Sequence, residues 1–429
     1  MKKFLLLLCF ASVSNAEPLP TANAQFSVHN PDEIALGQRL FYDPILSGNR
    51  TVACATCHHP RFGTSDGVSL GLGDGGIGLG PARRIDPENV PPNRVARNAP
   101  ALFNLGADAF SSLFHDGRLE ADLTRASGIR TPMGAEMVVG FNNPLAAQAM
   151  FPVLAADEMA GHYGESDVSR AVSQGLITST GGAWDIIAAR VQKIPEYRAR
   201  FDVVIGPDAP IRFTDIANAI EAFTAFEWRA DNSPFDQFLR TQTPLTDAAM
   251  RGMTLFYGKA NCASCHSGQF QTDHLYHAIA MPQIGPGKAA EFESHQRDVG
   301  RMRVTGNAVD AYRFRTPSLR NITLTAPYGH SGAYATLRGV IQHHLDPVKS
   351  LMAYDISQAI LPPFSGITDD WVLARPEELS AIAEANTLQP FALSEAEISD
   401  IVAFLQALED PVIRLGVPEA VPSGLPVPR

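Results

Sequence analysis

The stretch Cys54-Ala55-Thr56-Cys57-His58 and its counterpart Cys262-Ala263-Ser264-Cys265-His266 decide how this chain is read. In Cys-x-x-Cys-His the two thiols form thioethers to the vinyl groups of a haem, and the adjacent imidazole ligates the iron. At this chain's Cys and His content, one such pentapeptide arises by chance roughly once in several hundred sequences of this length. Two independent matches are far rarer, so two covalently bound haem c groups are expected. A zinc or disulfide reading is poor, because neither demands a His after both Cys-x-x-Cys pairs.

The sequence around the motifs repeats. Gly37-x-x-Leu40-Phe41-Tyr42 precedes the first and Gly252-x-x-Leu255-Phe256-Tyr257 the second; Phe62 and Phe270 follow the two His residues at the same interval. A helix delivering its C-terminus to a haem-binding turn, used twice, explains this economically. Further helices are legible. Asn30-Pro31 is a cap with Pro at the first helical position. Thr214 opens a helix with Ile216, Ala219, Ile220, Phe223 and Phe226 on one face. Thr246-Asp247 caps another, and Ser394-x-x-Glu397 is a capping box ahead of Ile398, Ile401, Val402 and Leu405. Long Gly- and Pro-rich stretches, Gly71 to Pro92 and Pro282 to Gly287, lie between them, and few segments alternate as strands do. The expected fold is mainly α: two cytochrome-c-like haem domains with long irregular loops.

Met1 to Ala16 reads as a secretory signal, with Lys2-Lys3, an apolar run from Phe4 to Val13, and Ser14-Asn15-Ala16 for cleavage. The apolar run is too short to span a bilayer, and no later segment is long enough. Removal takes one of the five cysteines, Cys9, and leaves four, all in the haem motifs. A periplasmic address follows from that chemistry. The expected division is residues 17–230, carrying the first haem; residues 231–412, carrying the second; and a Pro-rich tail, 413–429, as a surface strap or a disordered end. A formal charge of −11 without a long basic run argues against nucleic acid or anionic lipid as partner.

His58 and His266 are the fifth iron ligands by motif. Between Arg61 and Arg97 there is no His, Met, Lys or Tyr, so the first haem is expected to be five-coordinate and open to peroxide. His59, next to the proximal ligand, should point elsewhere, as a surface side chain.

Ordered segments across nearly the whole mature chain resemble the bacterial dihaem cytochrome c peroxidase and MauG family. They are the first haem motif, Arg97-Asn98-Ala99-Pro100, Phe114-His115-Asp116-Gly117-Arg118, Ala135-Glu136-Met137, Asn232-Ser233-Pro234-Phe235-Asp236, the second haem motif, and Arg315 to Asn321 followed by Leu324 to Gly332. The resemblance implies a distal ligand on the second haem nineteen residues after Thr325. That position is His344, where the family has Met or Tyr; His343, one step away, competes with it. It implies a calcium ion held by Asn98 with the carbonyls of Thr325 and Pro327, for which hard oxygen ligands are suited. It implies Glu136 as a distal carboxylate shuttling a proton between the peroxide oxygens. His330 is expected to be a packing residue near the site.

There are departures. The family's gating His before Arg97-Asn98 is absent, which is MauG-like. The Trp between the haems is replaced by His115, which puts Trp-mediated transfer in doubt. The distal Gln becomes Arg125, which could stabilise the leaving oxygen electrostatically.

The leading expectation is a peroxidase reducing hydrogen peroxide at the first haem. Its electrons would come from a small c-type cytochrome or cupredoxin and pass through a His266/His344 haem. A second is a MauG-like oxidase acting on Trp or Tyr of a protein partner. A third, from another class, is a non-catalytic dihaem electron carrier or redox sensor. A homodimer fits the family.

Overall fold

Two helix crossings organise the chain. In the computed structural model, which describes residues 17–288 and 293–429, the Pro31–Tyr42 helix packs across Phe213–Glu227, and Asp247–Tyr257 packs across Glu395–Gln406. The signal expected at Met1 to Ala16 lies outside the described residues. Each crossing meets at the glycine of the internal repeat. A Cβ on Gly37 would overlap the carbonyl oxygen of Ala219, and one on Gly252 that of Asp400. Only glycine lets the two backbones approach so closely. The repeat is therefore a backbone-contact motif as well as a core face.

Local chemistry starts these helices where the sequence says. Asp32 N–H donates to Asn30 Oδ1 at 2.9 Å, with Pro31 at the first helical position. Ala249 N–H donates to Thr246 Oγ1 at 3.3 Å. Ser394 and Glu397 form the reciprocal box: Glu397 N–H donates to Ser394 Oγ at 3.3 Å, and Ser394 N–H to Glu397 Oε2 at 2.8 Å. The third helix begins at Phe213, one residue ahead of Thr214, because Arg212 N–H donates to Asp215 Oδ2 at 2.8 Å. Its Ile216, Ala219, Ile220 and Phe223 are buried as the spacing requires. Phe226 is not; it is 38% exposed and lies under the Arg414 guanidinium.

The apolar side chains collect around the crossings. One core holds residues from Leu36 to Ala230 together with Phe270 and Val421, with Phe41, Phe223 and Trp228 in mutual ring contact at 4.9–5.4 Å. The other holds residues from Phe235 to Leu408, with Phe404 against Phe235 and Phe256 at 5.1 and 5.2 Å. Strands are two or three residues long and antiparallel: Gly76–Ile77 with Arg84–Ile85; Leu119–Ala121 between Ser112–Leu113 and Ile129–Arg130; Tyr276–His277 with Phe314–Arg315. The fold is mainly α with long irregular loops.

The Pro-rich tail is a strap on the first core. Glu227 is buried, and its carboxylate accepts the N–H groups of Arg414, Leu415 and Gly416 at 3.2, 2.7 and 2.9 Å. Further along, Ser423 Oγ donates to Asp43 Oδ1 at 2.6 Å. Among the described residues no helix is long and apolar enough to cross a membrane.

Candidate functional site

Three imidazoles are prepared as metal ligands in the same way. His58 Nδ1 lies 3.0 Å from the Thr64 carbonyl, His266 Nδ1 3.1 Å from that of Gln271, and His344 Nδ1 2.7 Å from that of Val340. A carbonyl can only accept, so each Nδ1 carries the proton and each Nε2 keeps its lone pair. A backbone partner of this kind is the usual orienting contact behind a ligating His. Burial lowers all three, with His266 at about 4, which keeps the neutral, ligating form.

His266 and His344 are in ring contact. Their ring centroids are 6.4 Å apart. Metal–nitrogen bonds of about 2 Å would let two imidazoles at that separation serve one metal. The space between them thus fits one ligated atom. His343 cannot compete on these terms. Its Nδ1 is 2.9 Å from the Tyr334 hydroxyl and its Nε2 2.7 Å from the Ile279 carbonyl, so neither nitrogen is free. Among the described residues no imidazole makes a ring contact with His58.

The four motif cysteines form no disulfide. Burial pushes Cys54 and Cys262 up to about 12, and Cys57 to about 11 against the opposing charge of Arg83. Alkylation to thioethers removes the ionisable proton altogether. The donor set fits covalently held haem at both motifs. Cys265 also lies with Asp273 and His277 in a three-donor grouping, but its sulfur belongs to the second haem motif.

His115 sits in a buried polar cluster that ties the two halves of the chain. Its side chain is 8% exposed, and its Nε2 lies 2.8 Å from Asp298 Oδ2. His330 Nε2 is 3.4 Å from the same oxygen. The His330 Nδ1 accepts from Arg97, and Phe314 stacks on its ring at 3.8 Å. Gln283 grips the Asp298 backbone through both its amide atoms, at 2.7 and 2.8 Å. Arg315 N–H donates to the His115 carbonyl at 2.8 Å. Burial first, and the Arg97 charge second, hold His115 at about 4 and His330 at about 3. Burial alone would raise Asp298, yet the His115 and His330 donors hold it well below the usual carboxylate range. At neutral pH two neutral imidazoles therefore donate to one ionised carboxylate, with the nearby Arg97 guanidinium balancing the charge. His330 is hydrogen-bonded at both nitrogens within this cluster, and its partner Asp298 carried no sequence signal.

The other expected residues lie in three places. Glu136 is exposed on the Gly134–Glu136 turn, and its carboxylate has no hydrogen-bond partner among the described residues. Arg125 is on the surface, its Nε 3.3 Å from Asp122 Oδ2, beside a shallow cavity with Glu120, Arg130 and Arg301. Neither contacts the His115 cluster directly. Asn98 Nδ2 donates to the Val68 carbonyl at 2.7 Å, and its Oδ1 accepts no hydrogen bond among the described residues; Thr325 and Pro327 are buried, and their carbonyls accept no hydrogen bond among the described residues. Buried acceptors without donors suit a cation.

His59 differs from expectation. It is 4% exposed rather than a surface side chain, because its Nδ1 accepts Arg61 N–H at 3.2 Å and so caps the following turn. Sequence reasoning also missed Lys288, whose ammonium lies in the field of Arg118, Glu158 and Asp298 and is lowered by burial and then by Arg118.

The di-haem cytochrome c peroxidase family matches this chain over residues 31–244. The methylamine utilization protein MauG of Methylorubrum extorquens is 27% identical over 94% of this chain and 84% of that protein. The cytochrome-c peroxidase IdrP1 of Denitromonas iodatirespirans is 27% identical over 95% and 93%. Among solved structures, the diheme peroxidase BthA from Burkholderia thailandensis shares the fold over 95% of both chains, with a TM-score of 0.59 at 21% identity. A MauG-like protein associated with microbial copper homeostasis aligns over 94% of this chain and 96% of that one, with a TM-score of 0.54 at 25% identity. Relatives of both kinds extend across both haem motifs and both helix crossings, and this chain belongs to the dihaem cytochrome c peroxidase and MauG family of oxidoreductases, whose members imply two haem groups.

Proposed function

We propose that this chain is a periplasmic dihaem peroxidase in which residues 17–230 hold a peroxide-reducing haem and residues 231–412 an electron-storing one. Cys54, Cys57 and His58 would hold the first haem; Cys262, Cys265 and His266, with His344 opposite, the second. One observation carries the reading: His266 has a second imidazole, His344, in ring contact at 6.4 Å, and among the described residues His58 has none. An iron with a free face supplies peroxide chemistry, whereas one closed by two imidazoles stores an electron.

The chain's own residues take the following parts. Glu136, with no competing partner, takes a proton from the inner peroxide oxygen and returns it to the leaving one. Arg125 contributes charge from the rim. His115 is hydrogen-bonded into Asp298 rather than left as an open ring, so its part is to orient the junction between the halves. Asn98 Oδ1 and the carbonyls of Thr325 and Pro327 hold calcium. Electrons arrive from a small c-type cytochrome or cupredoxin, and the net charge of −11 suits a basic donor. The spectrum of the oxidised protein tests this: one high-spin and one low-spin haem are expected, and two low-spin haems overturn it.

A second reading, a MauG-like oxidase of a protein partner's Trp or Tyr, is favoured by the imidazole at position 344. Two imidazoles give a lower potential than His and Met, which suits an ordinary cytochrome donor less well. Rapid peroxide turnover with reduced cytochrome supports the first reading; a long-lived oxidised species supports the second.

A further inference from the structure

A row of aromatic rings leads away from the second metal position toward the surface. From His344 the ring of His343 is 6.0 Å distant, from His343 that of Tyr334 5.5 Å, and from Tyr334 that of Tyr354 5.5 Å. Tyr334 is fully buried and Tyr354 is partly exposed. The hydrogen bonds set the direction of the proton. His343 Nε2 lies 2.7 Å from the Ile279 carbonyl and must donate, so its Nδ1 bears the lone pair. The Tyr334 hydroxyl, 2.9 Å from that Nδ1, therefore donates to it, while Ser350 Oγ, 3.1 Å away, can donate to the phenol oxygen. Tyr354 lacks such a base: its hydroxyl donates to the Ala333 carbonyl at 2.6 Å.

We infer that Tyr334 is a redox-active tyrosine, paired with His343 as its proton acceptor, that gives up one electron along the His343–His344 row. The inference rests on the proposed peroxide reaction for its oxidant. Peroxide takes up two electrons and two protons to become two waters. When no external donor is present, Tyr334 would supply one of those electrons, and the haem held by Cys54, Cys57 and His58 would supply the other. The phenolic proton passes along the existing hydrogen bond to His343 Nδ1, the Nε2–H keeps its hydrogen bond to the Ile279 carbonyl, and a neutral phenoxyl radical remains beside an imidazolium. Tyr334 rather than Tyr354 holds the radical, because a backbone carbonyl cannot accept a proton.

Freeze-quenched electron spin resonance of the holoprotein tests this with two oxidants: hydrogen peroxide, and photogenerated tris(bipyridyl)ruthenium(III), which oxidises without peroxide chemistry. With ruthenium, an organic radical that narrows on ring deuteration of tyrosine is expected. It should be lost in Tyr334→Phe, kept in Tyr354→Phe, and weakened or broadened in His343→Gln, each variant keeping its low-spin haem signal. A radical that survives Tyr334→Phe, or no tyrosine radical with ruthenium, overturns the pair. The radical with ruthenium but no spectral change with peroxide upholds the pair and overturns the peroxide reading alone.

Discussion

Replacing Asp298 by Asn removes the one carboxylate that two buried imidazoles share and leaves Arg97 beside them. The isostere can still accept Gly300 N–H, which lies 2.9 Å from Oδ1. At Oδ2 the carboxylate oxygen becomes an amide donor. His115 can adapt by shifting its own proton to Nδ1. His330 cannot, because Arg97 already donates to its Nδ1 and its Nε2 must carry hydrogen. Two donors then face each other, and the Arg97 guanidinium loses its counter-ion. Breaking a buried pair from one side costs about 3–5 kcal/mol. Asp116 stays behind, 4.0 Å from His115 and 2.8 Å from Arg118, so the loss should fall near the lower end, about 3 kcal/mol. That corresponds to a melting-temperature drop of roughly 6–12 °C, the smaller value being expected for a chain this long. Urea unfolding of the holoprotein at pH 7 measures the loss directly, alongside the double variant with Arg97→Gln. The two changes should couple by about 0.5–3 kcal/mol, the double variant losing less than the sum. A loss below about 1 kcal/mol, or strict additivity, would refute the shared-carboxylate account.

Other outcomes follow from the same structure. His344→Ala should turn the low-spin haem high-spin, whereas His343→Ala should keep it low-spin, because only His344 has a free Nε2; the reverse result would reassign the ligand. Burial raises the Glu221 carboxyl from 4.5 to about 7, so the fold favours its neutral form. Stability should be greatest below pH 4.5 on this account and fall by about 3 kcal/mol as pH rises toward 7. Glu221→Gln should flatten that part of the pH–stability profile, and an unchanged slope would count against the assignment. Glu227→Ala should release the tail from Arg414 onward, seen as faster amide exchange over residues 414–429 while the second core keeps its protection.

The helix starts were readable because caps and periodicity are local. Asn30, Thr246, Ser394 and Glu397 act on backbone N–H groups within three residues, and no distant contact can move them far. Phe226 escaped the pattern because its ring stays at the surface, met by the guanidinium of Arg414 from far along the chain rather than by the core. The surface assignment of His59 failed for a related reason: an imidazole beside a proline turn can satisfy a backbone donor, and that keeps it inside. His343 and His344 could not be separated by composition, since both are imidazoles on one short helix.

The sequence by itself determined the chemistry that adjacency controls: the two thiols and imidazole of each haem motif, the repeated glycine before each, and the helices that carry them. Covalent spacing and 3.6-residue periodicity are written in order along the chain. The tertiary structure alone decided which imidazole meets His266, which carboxylate receives His115 and His330, and where the tail lies. Those choices depend on which nitrogen already has a partner, and partners such as Ile279, Val340, Asp298 and Glu227 are brought in by packing between segments that the linear order keeps apart.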